Sequence, residues 1–390
     1  MNTKDLASQI KAAVGILHGS KAFTGPLQAY ISLTSRCNIR CIHCFYYSSL
    51  AENVNYHEFR INNQTKDSLP DNALGELRNN DIETSRTRIL LDELRLSGVK
   101  RIFFTGSGEP FLHKNVLEFM DRAMQNNGNA TVNTNGTRLD RETINELIRI
   151  RFTELKITTM AGTDRIYQAT HPEVAENTFD RITDGLLYLA ERKASLRTSY
   201  PKVCLVFVVT TQNHAGLIDF AKYAAHVKAD RIEVRPVDEI NDPGLAKVIP
   251  TEIEAELVRK QLPEVNFLLV SKGISHNIDY FQKVFERELD TAELYKKIPC
   301  YYGWLNTRIE LTGKVYGCCR CFRPLGDIHE NSFSDIWYGD SYKQFRHDAK
   351  KINKRKKPVV GCDCFSCPHH TANIRVYNAF HPIKDKLKIH

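Results

Sequence analysis

The chain has 390 residues, of which 42% are hydrophobic and 26% charged, an ordinary globular balance that suits a barrel with an appended module. No apolar run is long enough to span a bilayer as a helix. Part of the +8 net charge sits in KKINKRKK, Lys350 to Lys357, where no aromatic residues interleave. The run therefore reads as a solvated loop and not as a nucleic-acid surface.

The N-terminus, MNTKDLASQIKAAVGIL, lacks a signal-peptide pattern and reads as an amphipathic helix, which predicts a cytoplasmic protein. Short apolar runs then predict strands over Gln28–Leu33, Arg101–Thr105, Ala130–Thr134, Glu154–Thr158, Lys202–Val209 and Arg231–Arg235. Helical patterns follow them at Thr84–Ser97, Leu117–Asn126, Arg141–Arg151, Thr178–Arg192 and Ala215–His226. Six β-then-α units predict parallel strands with helices outside. They are too few to close an eight-stranded barrel. The expected class is α/β, an open partial (β/α)6 TIM-type barrel with sites at the C-terminal strand ends and a lateral mouth. Residues 46–83 form a polar insertion, read as a lid, a docking excursion or, equally, a merely tolerated insertion. Beyond the barrel come a helix at Thr251–Leu262, a strand-like VNFLLVS and a helix near Tyr280–Glu288. The segment WLNTRIELTGKVYGCC reads as a hairpin turning at Thr312–Gly313. The expected division is an arm over 1–27, the barrel over 28–240, a connector over 241–295, a small cysteine-rich domain over 296–375 and a tail over 376–390.

Eleven cysteines in a reducing cytosol argue against disulfides. They cluster at 37/41/44, 300/318/319/321 and 362/364/367, which reads as metal ligation. Cys204 lies alone in an apolar strand and reads as core. The first group, in SLTSRCNIRCIHCFYY, follows the first strand with spacing Cys37-x3-Cys41-x2-Cys44. Three thiolates on one short loop hold three corners of a cubic iron–sulfur cluster and leave the fourth iron open to a chelator. S-adenosylmethionine is such a chelator, and its sulfonium accepts an electron from the reduced cluster. The competing reading is a zinc site completed by His43, although adjacent positions on so tight a loop rarely converge on one ion. CNIRCIHCF resembles the signature loop of the radical SAM superfamily.

The resemblance extends along the chain. In FFTGSGEPFLH, Ser107, Gly108 and Glu109 resemble the superfamily's GGE motif, with serine in place of the first glycine. It implies that backbone there holds the amino group of the methionine moiety. The third strand ends in NTNGTRL, where Asn133 and Asn135 carry polar groups and Gly136 permits a tight turn. The fourth runs into KITTMAG. The resemblance places Asn135 against the ribose and a hydroxyl of Thr158 or Thr159 against the ribose or carboxylate. His43, Ser107, Gly108, Glu109, Asn135 and Thr158 are the expected cofactor-binding residues. Arg165 and Arg181 are unassigned candidates for the methionine carboxylate.

The tail spacing Cys300-x12-Gly313-x4-Cys318, followed by Cys364-x2-Cys367, resembles the SPASM/twitch extension of radical SAM enzymes. It lacks the C-x2-C-x5-C-x3-C block of the full pattern. The resemblance then implies one auxiliary 4Fe-4S cluster on Cys300, Cys318, Cys364 and Cys367. Cys319, Cys321 and Cys362 are left as alternate ligands, inert neighbours or a thiol that gives a hydrogen atom to a substrate radical. The rival reading is a zinc module on Cys362, Cys364 and Cys367 with His369 or His370.

The activity implied is reductive cleavage of S-adenosylmethionine to a 5′-deoxyadenosyl radical, with flavodoxin or ferredoxin as electron donor. Hydrogen abstraction from the substrate then leads to oxidation or epimerisation. Peptide-modifying members often carry an N-terminal winged-helix domain, and the roughly thirty residues before the first strand are too few for one. This favours a small carbohydrate-like or phosphorylated metabolite. The alternatives are a peptide or protein substrate and, in another class, a non-catalytic iron–sulfur or zinc scaffold.

Overall fold

The structure, a computed structural model, describes residues 3–52, 79–237, 242–285, 291–365, 367 and 370–381. Most of the polar insertion, residues 53–78, lies outside the described residues.

An opening helix, α1 (Thr3–His18), leads to β1 (Gln28–Ser32). The chain then alternates α2 (Thr84–Leu96), β2 (Arg101–Thr105), α3 (Val116–Met124), β3 (Ala130–Thr134), α4 (Arg141–Arg149) and β4 (Glu154–Thr158). Two helices, α5 (Asp164–Thr170) and α6 (Thr178–Ser195), precede β5 (Lys202–Val209). The barrel ends with α7 (Leu217–His226) and β6 (Arg231–Pro236). All six expected strands form, with β1 ending a residue early and β6 a residue late. Left-handed residues explain where two helices stop short. Asn126 and Asn127 (φ 55° and 61°) follow α3, and Arg151 (φ 51°) follows α4.

Strand β2 buries Ile102 and Phe104 while Arg101, Phe103 and Thr105 point to the other face. β5 is almost wholly buried, as parallel strands covered on both faces require. The apolar faces of β1–β6 share one core with the surrounding helices. The six strands pair in parallel in the order 6-5-4-3-2-1, and the sheet does not close.

Past β1 the same sheet continues. β7 (Asn306–Ile309) pairs in parallel with β1, followed by antiparallel β8 (Lys314–Tyr316) and β9 (Gly326–Asp327). The expected hairpin forms, with Gly313 at φ 82° in its turn. The cysteine-rich segment thus grows directly from the barrel's first strand. α1 packs beside it, with Ile16, Tyr301 and Trp304 in one small cluster and Trp304 Nε1 donating to Lys21 O at 2.8 Å.

One element differs outright. The strand expected at VNFLLVS is the second half of a 20-residue helix, Glu252–Ser271, which runs through Pro263. Its buried residues Val258, Leu262, Val265 and Leu269 recur at helical spacing, and this stripe outweighs the local β-branched composition. Thr251 and Glu254 form its capping box. The following helix, Ile278–Phe285, covers the described part of the one expected near Tyr280–Glu288.

Candidate radical-generating site

The loop bearing Cys37, Cys41 and Cys44 begins where β1 ends, at the same rim as the turns after β2, β3 and β4. Its path is held by backbone bonds and two buried side chains. Glu109 N donates to Arg36 O at 2.8 Å, Ile42 N to Thr170 O at 3.0 Å and Ser48 Oγ to Ile42 O at 2.8 Å. Ile39 and Ile42 are buried, and Ile42 packs with Met160, Cys204, Val206 and Val208. Arg36 forks onto Asp81, with Nη2 2.7 Å from Oδ2, and donates to Leu112 O. Cys204 is the core residue expected.

The three sulfurs act on one another. Burial pushes the Cys37 thiol up to about 12, with Cys44 and Glu109 adding to the effect. Burial likewise raises Cys41 well above the ordinary thiol range, with Cys44 and Cys37 adding. Such thiols stay protonated unless a cation converts them to thiolates, which is the chemistry a metal cluster supplies. Among the described residues, no three His, Cys, Asp or Glu side chains close on a point as they would round a single metal ion. A cubane instead places each thiolate on a separate iron.

The GSGE segment has a role that sequence reasoning assigned to the ligand. A Cβ on Gly108 would lie 2.3 Å from Arg36 O and 2.6 Å from Thr34 O, so this glycine admits the backbone of the cysteine loop. Ser107 is buried. Glu109 is fully buried and accepts from Thr134 Oγ1 (2.7 Å), Asn135 N (2.7 Å) and Phe111 N (3.1 Å). Burial raises its carboxyl to about 6 against these three donors, which pull the other way. The carboxylate therefore ties the turn after β2 to the end of β3.

Asn135 reaches the cysteine loop. Its Nδ2 donates to Asn38 Oδ1 at 3.0 Å, and its Oδ1 accepts from Thr137 N and Thr137 Oγ1. Asn38 Nδ2 closes the ring by donating to Thr137 Oγ1 at 2.8 Å. Asn133 turns to Thr105 Oγ1. Thr158 is half-buried at the end of β4, whereas the hydroxyl of Thr159 is fully buried and has no partner among the described residues. His43 is half-buried; burial lowers the basicity of His171, and the nearby His43 adds to the effect. Arg165 and Arg181 are exposed. The sequence reading missed α5, whose N-cap Thr163 was its available signal. This short helix places Tyr167 and His171 beneath the loop.

In the tail, Cys300 is set by its N–H on Ala349 O, and its thiol is raised by burial and by Cys364 and Cys367. Cys318 is raised by burial, Cys319, Cys367 and Cys300. Cys364 is pushed up to about 11 and accepts from Val359 N. Tyr295 donates to Cys367 Sγ at 3.7 Å and is itself held by Asn373. Thus Cys300, Cys318, Cys364 and Cys367 belong to a second group of interacting sulfurs, which includes Cys319 beside Cys318. The expectation of no disulfide is corrected: Cys321 and Cys362 are bonded. An isolated antiparallel bridge places these two residues side by side, with Cα atoms 4.0 Å apart. That bond removes Cys362 from the zinc alternative, and His370 Nε2 is occupied 2.9 Å from Tyr280 Oη.

A family model described as the radical SAM superfamily matches residues 31–224, and an iron–sulfur cluster-binding domain model, SPASM, matches residues 300–368. The chain belongs to the radical SAM superfamily and carries a SPASM domain. Its cofactors are accordingly 4Fe-4S clusters and S-adenosylmethionine. It is 23% identical over 346 residues to a tungsten-containing aldehyde ferredoxin oxidoreductase cofactor-modifying protein of Pyrococcus furiosus, covering 82% of this chain and 83% of that one. It is 24% identical over 306 residues to a PqqA peptide cyclase of Granulibacter bethesdensis, covering 73% and 75%. Among solved structures, Streptococcus suis SuiB bound to S-adenosylmethionine has the same fold, with TM-score 0.61, 16% identity and coverage of 93% and 76%. SuiB bound to precursor peptide SuiA gives TM-score 0.59, 15% identity and coverage of 94% and 76%. No helix among the described residues of this radical SAM enzyme is long and apolar enough to cross a membrane.

Proposed function

We propose that this radical SAM enzyme modifies a peptide. The observation that carries the reading is the loop of three mutually acting thiols at the C-terminal end of β1, in a chain similar to a peptide cyclase and to a protein solved with a precursor peptide. These similarities favour the peptide over the small metabolite expected from the short N-terminal segment.

Cys37, Cys41 and Cys44 hold the first 4Fe-4S cluster, and Cys300, Cys318, Cys364 and Cys367 hold the auxiliary one. When bound, the reduced first cluster and S-adenosylmethionine supply a 5′-deoxyadenosyl radical that takes a hydrogen atom from an unactivated carbon. The chain's own residues fix the loop. Glu109 braces the neighbouring turns, Asn135 holds Asn38, and Gly108 admits the loop backbone. The buried hydroxyl of Thr159 is one polar group this rim offers to the cofactor. The open sheet leaves a lateral entrance for an extended substrate. A flavodoxin or ferredoxin delivers the electron.

The test is anaerobic incubation of the reconstituted enzyme with reductant, S-adenosylmethionine and deuterated peptides or sugars. Deuterium passing from a peptide into 5′-deoxyadenosine supports the reading. Transfer from sugars alone overturns the peptide assignment.

A further inference from the structure

The basic run from Lys350 to Lys357, expected as a solvated loop, is built onto the second group of sulfurs. It closes the helix Asp340–Lys350 and forms the short helix Ile352–Arg355. Contacts to that group bracket it. On one side Ala349 O accepts from Cys300 N at 3.0 Å, and on the other Val359 N donates to Cys364 Sγ at 3.4 Å. Between them Ile352 is fully buried and packs in one cluster with Cys300, Cys364 and Cys367. The charged segment is therefore anchored over these cysteines by its own apolar residue.

A second helix adds to the same face. Asn353 Nδ2 donates to Lys297 O at 3.2 Å, which brings the end of Thr291–Lys297 alongside. Lys296 is paired with Glu293, and Arg355 with Asp348. Lys297, Lys354, Lys356 and Lys357 are exposed and meet no acid among the described residues. Such uncompensated charge attracts an anionic partner and steers its approach. The run holds no aromatic residue on which a nucleic-acid base could stack. A nucleic acid or an anionic membrane would also gain nothing from the sulfurs beneath. An electron carrier would gain a short path to them.

We propose that this face docks an acidic one-electron carrier of the ferredoxin or flavodoxin type, which exchanges its electron with the auxiliary cluster. The reduced carrier loses one electron and the cluster gains it; no bond forms or breaks and no proton moves. This rests on Cys300, Cys318, Cys364 and Cys367 holding that cluster.

The test mixes the anaerobically reconstituted full chain with an acidic plant-type ferredoxin and reads two quantities. One is calorimetric binding of the oxidised carrier, and the other is the stopped-flow rate at which the reduced carrier is oxidised. Wild type is compared with Lys354→Glu/Lys356→Glu/Lys357→Glu and with a control of equal charge, Lys222→Glu/Lys228→Glu/Lys260→Glu, whose lysines are exposed elsewhere on the chain. At about 0.05 M salt the first variant should bind the carrier about tenfold more weakly and oxidise it about tenfold more slowly. The control should match wild type, and the gap should close near about 0.5 M salt. Cys364→Ala should remove the fast phase of carrier oxidation. If the first variant loads less iron than wild type, wild type alone decides, because its rate must fall about tenfold over the same salt range and a flat response overturns the proposal. Unchanged binding and rate in a fully loaded variant overturn it too, as does fast carrier oxidation by Cys364→Ala. So does loss, in that variant, of a bound RNA oligonucleotide or of phosphatidylserine vesicles while the carrier is unaffected. A wild-type chain that loads about four irons instead of about eight refutes the auxiliary cluster beneath the proposal.

Discussion

Glu109 carries three hydrogen-bond donors on a fully buried carboxyl, yet burial still wins and holds its proton affinity up at about 6. The folded value lies above the ordinary one of 4.5, so the native state keeps the proton longer than the unfolded chain. Stability contributed at this residue is present below pH 4.5 and falls as pH rises through about 6. Glu109→Gln holds the neutral form at every pH. Urea unfolding of the two apoproteins across this range should show wild type losing on the order of 2 kcal/mol relative to the variant. A relative gain for wild type with rising pH would contradict the role of burial. The motif carrying Glu109 was legible in the sequence, but its hydrogen-bond partners were not. Two of the three, Thr134 Oγ1 and Asn135 N, come from the last residue of β3 and the one after it, which meet the motif only once the sheet has formed. Tyr167 and His171 were hidden for a related reason: a seven-residue helix has too little periodicity to be read, and its contact with the cysteine loop is set by tertiary packing.

Between elements, the decisive contact is backbone against backbone. The turn after β2 lies so close to the cysteine loop that a methyl group at position 108 would sit 2.3 Å from Arg36 O. Gly108→Ala must push the loop away from the rim. Iron and sulfide analysis after reconstitution should show loss of the first cluster with retention of the auxiliary one, and full loading of the variant would refute the tight approach. The six barrel strands were legible because short runs such as RIFFT and KVCLVFVV have strand length and lie between helical stripes. VNFLLVS was misread because Phe267 and Val270 are 77% and 64% exposed. Apolar side chains on the outer face hid the stripe made by Val258, Leu262, Val265 and Leu269. The expected helix stopped at Leu262, yet the buried stripe carries it on through Pro263.

Across the whole molecule, one sheet leads into the first sulfur set and to Cys318 of the second. β1 leads into the first and pairs with β7, and the hairpin of β7 and β8 ends at Cys318. Cysteine clustering pointed to metal ligation in both regions of the sequence, and the family resemblance singled out four residues of the second. The Cys321–Cys362 bond was not legible, because its partners are 41 residues apart and are brought together only by the fold. The two sets should be separable. Cys364→Ala is expected to lower iron from about eight to about four per chain while leaving 5′-deoxyadenosine release intact and blocking turnover of the peptide. If the same change stops cleavage of the sulfonium, the division of labour between the sets is wrong.

The most direct measurement is EPR spectroscopy of the anaerobically reduced protein before and after S-adenosylmethionine is added. A cluster held by Cys37, Cys41 and Cys44 has one iron open to the amino and carboxylate groups of that molecule. Its signal should change shape on addition in wild type, and the responsive signal should be missing in Cys41→Ala. An identical wild-type spectrum with and without S-adenosylmethionine would contradict the open iron and the radical chemistry that depends on it.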